Sequence, residues 1–193
     1  METKRVVFLR GFKTNLCILD ERDAEALVHF VNDSENLHFL KRVGPITLDT
    51  EREWVKSIAK KAPNDYVFGI SNKDTDELIG VIGLHRIDYV NRTASTGTLI
   101  GKSDMQSKGF GTDAKMVLLK WAFETLNLRK IYSKVWEYNT RSLAYADKCG
   151  YVVEARLKEH AFKNGSYVDE IILSLYREPW QRAYDAYVKF AQK

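Results

Sequence analysis

Gln106-Ser107-Lys108-Gly109-Phe110-Gly111-Thr112 lies between a segment of strand periodicity, Thr93 to Ile100, and one of helical periodicity, Gly111 to Leu126. Two glycines one residue apart let the backbone turn its N–H groups inward with no Cβ in the way. The start of the helix behind them adds roughly half a positive charge. Such a loop cradles phosphate oxygens. Gly109-x-Gly111-x-x-Ala114 also fits a dinucleotide fingerprint, with Glu137 as the distant acid, but that turn needs the strand to run straight into the first glycine. Here the polar stretch Lys102 to Lys108 intervenes. No Lys-Ser or Lys-Thr is placed for a Walker loop either.

Downstream, Ile131 to Val135 has the pattern of a strand, and Thr140 to Cys149 that of a short helix closed by Gly150. Tyr151 to Ala155 and Val168 to Ser174 predict two β arms with Asn164-Gly165 turning between them. Pro179 opens a last helix on Trp180, Ala183, Tyr184, Tyr187 and Val188. Upstream, Tyr66 to Ser71, Leu78 to Asp88 and Thr93 to Ile100 alternate as antiparallel strands. Before them, Asp20 or Asp23 caps a helix through Asn32. Thr50 with Glu53 forms a capping box for a second helix, which Pro63 stops. Val6 to Arg10 and Leu16 to Leu19, around a kink at Gly11 to Asn15, are two short strands or one bent one.

The chain has 193 residues, no repeats and no linker, which predicts one domain over residues 1–193 with a C-terminal helix at about 179–191. A net charge of +4 without a dense basic run argues against nucleic acid and suits a small anionic ligand. The apolar run Val6 to Leu9 is too short for a signal peptide or a membrane span, and two separate cysteines fit reduced thiols; a cytoplasmic location is expected. Four scattered histidines without paired spacing predict no metal site.

Gln106-x-x-Gly109-x-Gly111, between strand and helix, resembles the acyl-CoA pyrophosphate loop of the GNAT N-acetyltransferase superfamily. Trp121 to Tyr132, Val135-Trp136-Glu137-Tyr138-Asn139-Thr140-Arg141-Ser142, Lys148-Cys149-Gly150-Tyr151 and Phe162 to Asp169 are similar to its RimJ/RimL-like branch, as is Tyr176-Arg177-Glu178-Pro179-Trp180. The resemblance is strong from about Ala94 to Trp180 and weaker before it. It implies a mixed α/β (α+β) fold with a central, mostly antiparallel twisted sheet of about seven strands, a splayed middle pair and flanking helices. It also implies acetyl-CoA as co-substrate and acetyl transfer to a primary amine, on a protein N-terminus, polyamine, amino sugar or other small molecule. Leu99 and Ile100 on the splayed strand would meet the pantetheine arm. Gln106, Ser107, Lys108, Gly109, Phe110, Gly111 and Thr112 would hold the pyrophosphate, and Asn139 and Ser142 the cofactor arm. A monomer or homodimer, with no membrane partner, is expected.

The chain departs from that family at both usual acid–base positions. Many relatives have Tyr where Ala146 stands, and Glu where Ser95 stands. Tyr145 is one residue off, about 100° around a helix, a turn that argues against its inheriting the acid role. A neutral amine is nonetheless needed: an alkyl ammonium titrates near about 10, so a general base helps. Glu137, if it alternates with Val135, His85 on the third strand and His160 before the hairpin are the replacement candidates, with Tyr145. An acyl-CoA-binding protein of little catalysis is the alternative these departures raise.

Overall fold

The computed structural model describes residues 4–192; the ends of the expected 1–193 domain, residues 1–3 and 193, lie outside the described residues. One eight-stranded sheet runs through it, in the order β1-β2-β3-β4-β5-β6-β8-β7. The strands are β1 (Val7–Arg10), β2 (Thr14–Cys17), β3 (Tyr66–Asn72), β4 (Leu78–Asp88), β5 (Thr93–Ile100), β6 (Lys130–Trp136), β7 (Val152–Lys163) and β8 (Ser166–Tyr176). The helices are α1 (Ala24–Asn32), α2 (Ser34–Phe39), α3 (Leu48–Ile58), α4 (Phe110–Lys120), α5 (Thr140–Lys148) and α6 (Arg177–Ala191).

Every pairing is antiparallel except β5 with β6, and that one defines the site. β5 and β6 pair in parallel only from Thr93 to Ser95, opposite Lys130 to Tyr132. Beyond Ser95, β5 stays with β4 through Ile100, while β6 follows β8 to Trp136. The two strands therefore diverge, and from Thr96 onward β5 has no strand on its β6 side.

The sheet separates two cores. On one face α4, α5 and α6 bury Ala114, Leu118, Leu119, Phe123 and Trp180 against Ile82, Leu84 and Ile131. On the other, α1 and α3 bury Leu27, Phe30 and Val55 around Leu78, with Val81 and Leu99 against them. Each fully buried aliphatic or aromatic side chain contributes about 1.5–3 kcal/mol, so the larger cluster carries most of the stability. α4 ends in a widened π turn, Trp121–Thr125, and the Arg177 guanidinium donates to the Phe123 carbonyl within it, tying α6 to the core.

The structure corrects several expectations. The sheet has eight strands rather than about seven, because the N-terminal segment is a true hairpin and not one bent strand. The cap of α3 is Thr47, whose Oγ1 accepts from the Thr50 amide at 3.2 Å, three residues before the capping box that sequence predicts. Asp33 caps an additional helix, α2, between the two helices expected there: its carboxylate accepts from the Asn36 amide at 2.9 Å. The hairpin arms β7 and β8 run to Lys163 and from Ser166, much longer than the apolar runs alone indicate. Asn164 and Gly165, at φ 49° and 86°, make the left-handed turn between them.

Candidate active site

The gap between β5 and β6 opens into a cavity of about 840 Å³ that spans the sheet. The glycine loop closes one end. Gly109 sits at φ 89°, a left-handed conformation that glycine adopts without strain, and caps α4. A Cβ on Gly109 would meet only the Lys13 ammonium, at 3.7 Å, and one on Gly111 only Ile100, at 3.6 Å. The space over both glycines is thus free for a ligand at the positive end of α4, as phosphates need.

Of the residues expected to bind the cofactor, Leu99, Ile100, Gln106, Ser107, Gly109, Gly111, Thr112, Asn139 and Ser142 line this cavity. Lys108 and Phe110 do not. The Lys108 carbonyl accepts from the Lys13 ammonium at 3.2 Å while its side chain is exposed, and the Phe110 ring packs on the larger core, which leaves Phe110 only its backbone to offer. Gln106 braces the loop: its Nε2 donates to the Ile100 carbonyl at 2.8 Å and to Asn36 Oδ1 at 3.1 Å, and its oxygen accepts from Arg141. Asn139 caps α5, accepting from the Ser142 amide at 3.0 Å.

The catalytic candidates separate cleanly. His85 lines the cavity. Its ring lies over Gly83 and beside Gly97, since a Cβ on these residues would fall 2.6 Å and 3.9 Å from Nε2. It sits opposite Ser95, the last β5 residue paired to β6, so it stands at the head of the divergence. Burial lowers its pKa, with Lys115, Arg86 and Lys61 acting in the same direction, against the partial opposition of Asp65, 3.9 Å from Nδ1. The ring is therefore neutral at pH 7 and able to accept a proton.

Tyr145 also lines the cavity. The one-residue offset does not turn it away: Tyr145 shares its helix face with Arg141, Ser142 and Lys148, all cavity-lining, while Ala146 is buried in the core. Its hydroxyl donates to Thr98 Oγ1 on β5 at 3.0 Å. Burial pushes the phenol well above its usual range, so it keeps its proton.

Glu137 and His160 lie outside the cavity lining. β6 ends at Trp136, so the alternation that would aim Glu137 into the gap does not reach it. Its carboxylate pairs with Arg156 and accepts from the Asp169 amide. His160 stands on β7 with Nε2 3.6 Å from the buried Glu170 carboxylate, which also accepts from Lys41 at 2.5 Å and Lys134 at 3.3 Å.

Sequence reasoning missed Glu51 and Lys115. Glu51 lines the cavity from α3 and is only 4% exposed. Its signal was a carboxylate on the stripe of Val55 and Ile58, at helical spacing. Lys115 is buried on α4, its ammonium 5.7 Å and 6.0 Å from the ring centres of Tyr145 and Tyr151. Burial lowers its pKa to about 8. Tyr151 in turn shares a hydrogen bond with Thr96 on β5 at 3.1 Å, so both aromatic rings that face the ammonium hold the diverging strand from beneath. Among the described residues no cluster of His, Cys, Asp and Glu could hold a metal, and no helix is long and apolar enough to cross a membrane.

Comparison with known proteins places this geometry. Residues 15–152 match the model of the acetyltransferase (GNAT) domain. The chain is similar to the putative ribosomal N-acetyltransferase YdaF of Bacillus subtilis, 29% identical over 85% of this chain and 91% of the relative. It is 30% identical to the spermidine N(1)-acetyltransferase of Vibrio cholerae, over 77% of this chain and 85% of the relative. Among solved structures, a probable acetyltransferase superposes with a TM-score of 0.80 at 26% identity, covering 90% of this chain and 99% of that one. The spermidine N-acetyltransferase of Vibrio cholerae in complex with CoA and spermine does so with 0.78 at 25% identity, covering 88% and 98%. The divergent strand pair, the glycine cradle at one end of the gap and these matches across the chain lead to one conclusion: the protein belongs to the GNAT family and is an acetyl-CoA-dependent N-acetyltransferase.

Proposed function

We propose that the protein, as one domain of the RimJ/RimL-like branch, transfers the acetyl group directly to a primary amine bound on the α1–α3 side of the gap. The observation that carries this reading is that the phosphate cradle and a neutral imidazole occupy opposite ends of one cavity. The amides of Ser107 to Thr112 take the pyrophosphate, and the free side of β5 from Thr96 to Ile100 lies along the pantetheine arm as an added strand would. Asn139 and Ser142 flank the arm from the start of α5.

The thioester carbonyl then lies towards Gly97, next to His85. The amine nitrogen forms a bond to the carbonyl carbon, His85 accepts the proton that nitrogen loses, and the tetrahedral adduct collapses with cleavage of the C–S bond. Tyr145, still protonated, gives its proton to the departing sulfur. Ala146 and Ser95, at the family's usual acid and base positions, are thereby replaced by neighbours that reach the same space. General acid–base assistance of this kind contributes typically about 10²- to 10⁴-fold, and the remainder comes from holding the two reactants together.

The test is release of CoA thiol from acetyl-CoA with a panel of peptide N-termini, polyamines and amino sugars, followed by mass spectrometry of the product. Acetyl-CoA at 100 times its dissociation constant stabilises the fold by about 2.7 kcal/mol, and Gly111→Trp, which fills the cradle, removes that stabilisation. No thermal shift with the wild type, or no thiol release with any amine, overturns the reading.

A further inference from the structure

Among the described residues, Glu51 is the only acidic side chain lining the cavity. It occupies the first turns of α3 and is 4% exposed. Among the described residues its carboxylate has no hydrogen bond and no ion pair within 4 Å, while its amide donates to the Thr47 carbonyl in the helix. Burial pushes its carboxyl up, and Arg42, its one charged neighbour, opposes this from beyond ion-pair distance. A carboxylate in that position is costly unless a cation joins it. The positive end of α3 offsets part of the cost and holds the group ready.

Of the cavity's cations, Arg42 acts on Glu51 without pairing with it, Lys148 lies on α5, and the others are engaged elsewhere. Lys41 and Lys134 both bond Glu170, and Arg141 bonds Gln106 beside the phosphate loop. The same cavity is lined by apolar side chains, among them Leu27, Val31, Phe39, Ile46 and, one helical turn on from Glu51, Trp54. Such walls take methylene groups, and the ring faces tolerate a positive charge. The nitrogen that attacks the thioester must be neutral, and it does so at His85. A carboxylate beside that same nitrogen would keep it protonated and inert, so the charge that Glu51 awaits belongs to a different atom.

We infer that Glu51 anchors a second, protonated nitrogen of the acceptor, so that this enzyme selects aliphatic diamines or polyamines over monoamines of the same length. The inference rests on the acetyltransferase reading above and deepens it. The chain between the two nitrogens lies along the apolar wall, and the distal ammonium pairs with Glu51 while the proximal amine meets His85.

The experiment measures kcat/KM of the wild type, Glu51→Gln and Glu51→Asp with 1,5-diaminopentane and with hexylamine, which keeps the methylenes but loses the second charge. The wild type prefers the diamine. Glu51→Gln lowers kcat/KM for the diamine by about 30-fold, mainly through KM, as loss of one partner of a buried charge pair does, and leaves hexylamine within about twofold. Glu51→Asp restores part of the preference. An unchanged thermal shift with acetyl-CoA certifies that each variant is folded. A wild type indifferent to the second charge, or a Glu51→Gln that lowers both amines alike, overturns the anchor while leaving the acetyltransferase reading intact. Absence of thiol release with every amine instead defeats that underlying reading.

Discussion

Replacing Gly83 with alanine moves the His85 ring without deleting it. The new Cβ would stand 2.6 Å from Nε2 and 2.7 Å from Cε1, against 3.4 Å for ordinary contact, and 3.0 Å from the Tyr66 carbonyl. The imidazole must therefore shift by some 0.8 Å relative to Gly97; its side chain is 37% exposed, so it can swing into the cavity. A misplacement of about 1 Å at a reacting group costs on the order of 100-fold, or about 2.7 kcal/mol of transition-state stabilisation. Gly83→Ala is thus expected to lower kcat about 100-fold at saturating acetyl-CoA, measured as thiol release, with the acetyl-CoA thermal shift unchanged. His85→Gln falls at least as far. In the double variant the alanine adds nothing, because the ring it displaces is gone. The pH profile supplies an independent check. The folded imidazole has a lowered pKa, so wild-type activity is full above the ordinary histidine range, falls only as pH drops below it, and loses this acid limb in His85→Gln. A Gly83→Ala enzyme within twofold of wild type, or losses that multiply in the double variant, refutes His85 as the base.

Tyr145→Phe removes the hydroxyl that meets Thr98 and should cut kcat by about 10²-fold with little change in KM, read from steady-state kinetics. Gly109→Ala forces a side chain to φ 89° and should cost about 1–2 kcal/mol of stability while raising KM for acetyl-CoA, read by urea unfolding and kinetics. Lys115 titrates near 8 when folded and near 10.5 when unfolded, so below pH 8 its charge is buried at full cost, and that cost disappears as pH rises to 10.5. Lys115→Met should therefore be more stable than wild type at pH 7, by up to about 3 kcal/mol, with the advantage shrinking across that window in urea titrations at pH 7, 9 and 10. A difference independent of pH rejects the buried ammonium.

The loop and the strands around it were legible because glycine spacing and period-two alternation are local signals; β4 and β5 were bounded as the structure has them. The same signals picked out the glycine loop that closes one end of the cavity. Helix α2 was not legible, since Ser34–Phe39 is too short to show a helical stripe and is held by Asp33 and by Asn36, whose Nδ2 donates to the Phe30 and Gly101 carbonyls. Glu137 was misread because alternation was extended past the end of β6. The place of Tyr145 in the cavity lining was not readable from a rotation angle alone, because the orientation of α5 depends on how Ala146 seats in the core. Glu51 and Lys115 were passed over for a different reason: a charged residue on a buried stripe contradicts the pattern that finds the stripe. Only the cavity and the paired tyrosines reveal what these two face.

Gln106 and Asn36 together join the glycine loop, the end of β5 and helix α2 through side-chain amides. This divides the molecule into parts that can vary and parts that cannot. The stretch from Lys41 to Glu51 can be rewritten to suit a different acceptor while the phosphate loop keeps its shape. A change at Asn36 is felt at α1, at the end of β5 and at Gln106 of the glycine loop at once. On the proposed placement of the acceptor, substitutions in α3 and the loop before it are expected to change specificity with less effect on the glycine loop than substitutions at Asn36.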